Sequence, residues 1–149
     1  MVNRRWRVFL DTSAFIAGVI SPTGAAREVL RLCEAAVVEP MISRQVLTEA
    51  DRNLSEKLPA LIPDFRHWIH QLSPTLVEDP SQKDVARATR IIHAKDALIL
   101  AAAMNAEVDY LITWNTRHFH KSSVKDAVRF KIMTPGEFLE EFRRSLPNS

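Results

Sequence analysis

Short, bounded apolar runs alternate with segments of helical periodicity along the whole chain, and this alternation limits the fold more than any composition figure. The runs are Arg7 to Leu10, Val38 to Ile42, Thr75 to Val77, Tyr110 to Ile112 and Phe130 to Met133. Between them lie helical patterns. Thr12 to Val19 reads as a short helix, and Ser21-Pro22-Thr23-Gly24 is a turn before a second helix from about Ala25 to Ala36, with Val29, Leu30, Cys33 and Val37 as its apolar stripe. Ser43 to about Leu58 carries Val46, Leu47, Ala50 and Leu54 on one face, and Phe65 to Leu72 presents Phe65, Trp68, Ile69 and Leu72. Ser81 with Asp84 caps a helix running to about His93, and Thr134, Pro135 and Glu137 open the last helix. Asp96 starts the segment Ala97 to Ala103, apolar all round and so expected to be buried. Strands separated by helices need crossover connections. The expected fold class is therefore α/β: three-layer, with a mainly parallel β-sheet flanked by helices.

No repeat, low-complexity tract or Gly/Ser-rich linker interrupts the pattern, and a chain of 149 residues is the size of one ordinary domain, so 1–149 is read as a single unit. No apolar run reaches the length of a membrane span. Arg4, Arg5 and Arg7 precede an apolar segment that Asp11 interrupts, which is not a signal-peptide form, and a cytoplasmic protein is expected. The lone Cys33 is read as a small buried hydrophobe. A net charge of +2 is too small to demand a polyanionic partner. Arg117, His118, His120, Lys121, Lys125, Arg129 and Lys131 nevertheless crowd one stretch that could contact phosphates or simply be solvated.

Three acids stand where a cleft could collect them. Asp11 ends the first strand, and in open α/β sheets the carboxyl ends of strands form the ligand crevice. It is also a good helix N-cap, although Thr12 and Ser13 could cap equally well. Glu49 lies on the rim of the apolar face of the helix after the second strand; Asp51 lies on the opposite flank, and periodicity does not choose between them. Asp96 begins the apolar helix, where the helix dipole favours an ionised acid. If the three converge, they form an oxygen-rich site suited to magnesium or manganese, with phosphodiester hydrolysis as the matching chemistry. No G-x-S-x-G elbow offers a serine nucleophile. His67 with His70, and His118 with His120, lack a third zinc ligand at a recognisable spacing and are read as solvated or interfacial.

Phe9-Leu10-Asp11-Thr12-Ser13, Ser43 to Glu49, Lys95-Asp96-Ala97-Leu98-Ile99 and Tyr110 to Asn115, followed by His118-Phe119, resemble the PIN-domain family over nearly the whole chain. The resemblance implies a metal-dependent ribonuclease fold, and a chain of this size is similar to the VapC-type toxins of toxin–antitoxin pairs. It implies an endoribonuclease acting on RNA, a small antitoxin protein as inhibitor, and a homodimer. Carried onto this sequence, the acidic site falls on Asp11, Glu49 and Asp96, which would bind Mg2+ or Mn2+, and Glu49 is preferred to Asp51. Asn115 occupies the place of a fourth acid found in many members. There it would serve as a neutral ligand or hydrogen-bond a bound water, with Ser13 supporting the ligands. Asp109 precedes its strand and is expected at the opposite end of the sheet. The rival reading is a catalytically impaired PIN-like domain that binds nucleic acid or a partner. A receiver domain would need paired acids after the first strand, and a haloacid-type phosphatase would need an acid where Ser13 stands.

Overall fold

The computed structural model describes residues 4–147. Five strands, β1 (Arg7–Leu10), β2 (Glu39–Ser43), β3 (Thr75–Val77), β4 (Tyr110–Ile112) and β5 (Lys131–Met133), form one sheet in the order β3-β2-β1-β4-β5. Every pairing is parallel, including Phe9 opposite Met41 and Leu10 opposite Ile112. β1 is therefore central, buried on both faces, and this is why Val8, Phe9 and Leu10 form an unbroken apolar run rather than alternating with polar residues.

The helices are α1 (Thr12–Ile20), α2 (Ala25–Glu34), α3 (Arg44–Lys57), α4 (Ile62–Leu72), α5 (Gln82–Ala88), α6 (Ala94–Asn105), α7 (Thr116–Phe119), α8 (Ser122–Lys125) and α9 (Pro135–Ser145). Helices α1 to α4 pack among themselves and α9 joins them on α2, whereas α5 pairs with α6. The chain first walks outward from β1 to β2 and β3, then crosses back to β4 on the other side of β1. Right-handed crossovers in opposite directions place the two helix groups on opposite faces. The result is the expected three-layer α/β architecture, with the sheet parallel throughout. The walk reverses between β1 and β4, so the segments after these two strands lead to opposite faces of the sheet, and their starts lie side by side at the carboxyl ends of the strands.

Several local expectations change. Helix α2 stops at Glu34, and Ala36 turns the chain at φ 60, so Val37 leaves the helix stripe and is exposed. Helix α5 ends at Ala88 and a turn leads on to His93. Helix α4 begins three residues earlier than expected, with Pro63 in its first turn. Helix α6 is not buried all round: Lys95, Leu98 and Met104 face outward, because a helix in an outer layer covers the sheet with one side only, while Ala97 and Ala101 to Ala103 allow close approach on the other. Among the described residues no helix is long and apolar enough to cross a membrane.

Candidate active site

Asp11 follows β1 at the reversal point, and its position comes from the ladder itself: its backbone N–H donates to the Ile112 carbonyl at 3.1 Å, one step beyond the last paired residues. The side chain caps α1, with Oδ1 accepting from the Ala14 N–H at 3.0 Å. Capping and functional display are not alternatives here, because a carboxylate has acceptor capacity beyond one cap bond. Oδ1 also accepts from the Ser13 hydroxyl at 2.7 Å, and Oδ2 accepts from the Thr113 hydroxyl. Asp11 is only 3% exposed. Burial pushes its carboxyl up to about 6, and the nearby Asp96 charge adds to that; the bonds from Thr113, Ala14 and Ser13 act in the opposite direction.

Asp96 lies in the first turn of α6, buried although it is charged. Its Oδ2 is 2.5 Å from His118 Nδ1, and its Oδ1 accepts from the Asn115 side-chain amide at 3.3 Å. Asn115 occupies the N-cap position of α7 but makes no side-chain cap; its amide is turned to Asp96 instead. Its backbone N–H donates to the Thr113 hydroxyl at 2.8 Å, so one threonine joins Asp11 to the loop that carries Asn115. Ser13 makes a second bridge, accepting from the Trp114 N–H at 3.0 Å.

Glu49 sits beside this group on α3. The Thr12 hydroxyl donates to its Oε2 and the Gln45 amide to its Oε1, each at 2.8 Å. Asp51 is exposed and accepts from Ser55 on its own helix. Asp11, Asp96 and Asn115 thus meet, and Glu49 is tied to the first residue of α1. Asp109 is at the other end of the sheet, where it accepts from the backbone of Arg7 and pairs with Arg4 at 2.9 Å.

Two participants escaped sequence reasoning. Thr113 is fully buried and links both strands' loops, yet in the sequence it had only a place in the segment before Asn115 and no role. The expected solvated or interfacial role of His118 is corrected: it is half-buried against Asp96, and its ring stacks on His93 with centroids 5.2 Å apart. The spacing of Asn115 and His118, one helical turn apart, was the available signal. His120 contacts Glu137 at 3.1 Å through Nε2, and His67 and His70 are exposed. The basic stretch is also divided. Lys121 lies near His118, whereas Arg129 and Lys131 line a cavity of about 690 Å³ at the amino end of the sheet, away from the carboxylates.

Among the described residues no three His, Cys, Asp or Glu side chains are arranged to enclose a metal ion. Magnesium does not need such a cage, because it usually keeps several waters and takes one or two protein carboxylates together with substrate phosphates. The donor chemistry fits it: Asp11 and Asp96 are both buried, both anionic when ionised and mutually repulsive, and the groups around them are hydroxyls, an amide and the one imidazole of His118 rather than thiols.

The family model described as PIN domain matches residues 7–117. No curated protein sequence matches the chain. Among solved structures, PAE2754 from Pyrobaculum aerophilum is similar with a TM-score of 0.61 and 18% identity, over 94% of this chain and 99% of the other. VapBC2 from Rickettsia felis, bound to a DNA fragment from its promoter, is similar with a TM-score of 0.61 and 17% identity, over 85% of this chain and 96% of the matched chain. At these identities the likeness is one of fold.

Proposed function

Because the chain belongs to the PIN-domain family, we propose that it is a metal-dependent endoribonuclease that hydrolyses RNA phosphodiester bonds, acting as the toxin of a toxin–antitoxin pair. The observation that carries this reading is the meeting of buried Asp11 and Asp96 at the point where the sheet order reverses, with Asn115 bonded to Asp96. Asp11 and Asp96 would hold Mg2+ or Mn2+, Glu49 would share the ion or orient water, and Asn115 would assist. When bound, the ion supplies water activation and neutralises charge on the phosphate under attack. The chain's own part is positional: Thr113 and Ser13 fix both oxygens of Asp11, and His118 and Asn115 fix those of Asp96. The partner is a small antitoxin protein, in keeping with the complex that the Rickettsia felis neighbour forms. An arginine of that partner would suit the carboxylates through bidentate pairing. The active form is a homodimer in the cytoplasm.

The impaired-domain reading is favoured by one observation, that both oxygens of Glu49 are already engaged by Thr12 and Gln45. Cleavage of single-stranded RNA, followed against Mg2+ and Mn2+ concentration, separates the two. Under the nuclease reading the native protein cleaves, excess chelator stops it, and Asp11→Asn lowers the rate by ~100-fold or more. Asn115→Asp then tightens metal binding while changing the rate little, because an added carboxylate attracts the dication but repels Asp96 when no metal is present. An inactive native protein that Asn115→Asp makes active would instead establish the impaired domain.

A further inference from the structure

We infer that the cleft lined by Arg90, His93, His118 and Lys121, together with Thr89 and Ser123, is the subsite that holds the RNA strand next to the scissile phosphate. The inference rests on the nuclease reading and adds to it where the strand lies. The carboxylates that would hold the ion repel a polyanion, so the chain must supply cations beside them, within reach of a neighbouring phosphate. This cleft does so. It has a volume of about 220 Å³, and no acid lines it. Arg90 and Lys121 are both exposed, and neither makes an ion pair among the described residues. By contrast, Lys131 at the far end of the sheet is neutralised by Glu141 at 2.5 Å.

The cleft is continuous with the carboxylate centre through a single side chain. His118 lines it and also contacts Asp96 at 2.5 Å, so a strand that lies in the cleft and continues to Asp96 passes His118. The His93 ring, exposed and stacked within 8° of parallel on His118, adds an imidazole face on which an unpaired base can stack. The hydroxyl of Ser123 is a further donor to a phosphate oxygen, whereas that of Thr89 donates to the Ala86 carbonyl and only lines the cleft. An acidic protein segment could satisfy the two cations, but it would have no use for the adjoining stacked rings or for the approach to Asp96.

The test is binding of a fluorescein-labelled, mixed-sequence single-stranded RNA oligonucleotide, followed by anisotropy in chelator at several salt concentrations, so that binding is read without cleavage. Arg90→Ala and Lys121→Ala should each reduce the slope of log affinity against log salt by about 0.7, the value for one phosphate contact on a single strand. The double variant should bind roughly tenfold more weakly at moderate salt. Arg129→Ala, which removes the same charge at the far end of the sheet, should leave the slope unchanged. In cleavage assays the double variant should raise KM and keep kcat. Equal slopes for native and double variant would overturn the inference, as would an equal loss from Arg129→Ala, which would mean a diffuse field and no subsite. Unchanged RNA binding with loss of a co-purifying protein partner would assign the cleft to that partner and overturn the inference as well. A native protein that cleaves RNA while its double variant binds normally refutes the subsite alone. A protein that never cleaves but loses its salt slope in the variants refutes the nuclease reading and retains the cleft.

Discussion

At Asp11 folding stability and the proposed metal-holding role oppose each other. Its carboxyl rises from 3.8 to about 6 on folding because burial penalises the ionised form. Below pH 3.8 it is protonated in both folded and unfolded chains, and its stabilising effect is fully present there. Between that pH and about 6 the folded chain holds a proton that the unfolded chain has lost, so stability falls as pH rises, by about 3 kcal/mol in all. Above 6 the penalty is constant. Asp11→Asn removes the titration while keeping an oxygen to accept from Ala14, and the Thr113 hydroxyl can accept from the new amide. Measured in chelator, this variant should have a higher melting temperature than the native protein at pH 7.5, with the difference closing by pH 4. Mg2+ at pH 7.5 should raise the native melting temperature and leave the variant's unchanged. If the native protein is the more stable one at pH 7.5 without metal, burial does not dominate at Asp11.

At the level of elements, the site depends on where α1 sits, since that helix begins on Asp11 and carries Thr12 to Glu49. Its placement is set by Gly18. A Cβ there would lie 2.6 Å from Leu30 Cδ1, 2.8 Å from Leu30 Cγ and 3.2 Å from the Ala26 carbonyl oxygen, so the glycine exists for close packing of α1 on α2. Gly18→Ala gains up to ~1 kcal/mol of helix propensity but forces Leu30 from its position, a cost of ~1–3 kcal/mol. Urea denaturation should show net destabilisation with an unchanged m-value. A stabilised variant would mean that Leu30 moves freely. The early end of α2 has a related local cause: the positive-φ residue just beyond it is Ala36 and not a glycine, so the usual stop signal was missing from the sequence.

For the whole molecule, one hydrophobic cluster runs from Val8 in β1 to Phe138 in α9 and includes residues of both helix layers. A cluster shared by both layers predicts one cooperative unfolding transition. Cys33 reports on it. The thiol is buried, and that burial pushes it up to about 12, so it is inert while the chain is folded. Its labelling by a thiol reagent should follow the same urea midpoint as the loss of helical circular dichroism. A separate, earlier labelling transition would show that the α2 region opens on its own and that the chain does not unfold as one unit.

The sequence by itself determined the α/β class, the five strand segments, the capping of α5 and α9 by Ser81 and Thr134, and the candidate acids Asp11 and Asp96. These are legible because hydrophobic period and capping chemistry are local properties, written within a few residues of one another. Strand order was not written that way, and neither was the meeting of Asp11 with Thr113 across 102 residues or of Asp96 with His118 across 22. Each of those contacts depends on which strands become neighbours. The tertiary structure decides that by reversing the walk between β1 and β4, which turns a buried threonine and a histidine one helical turn beyond Asn115 into the supports of the two carboxylates.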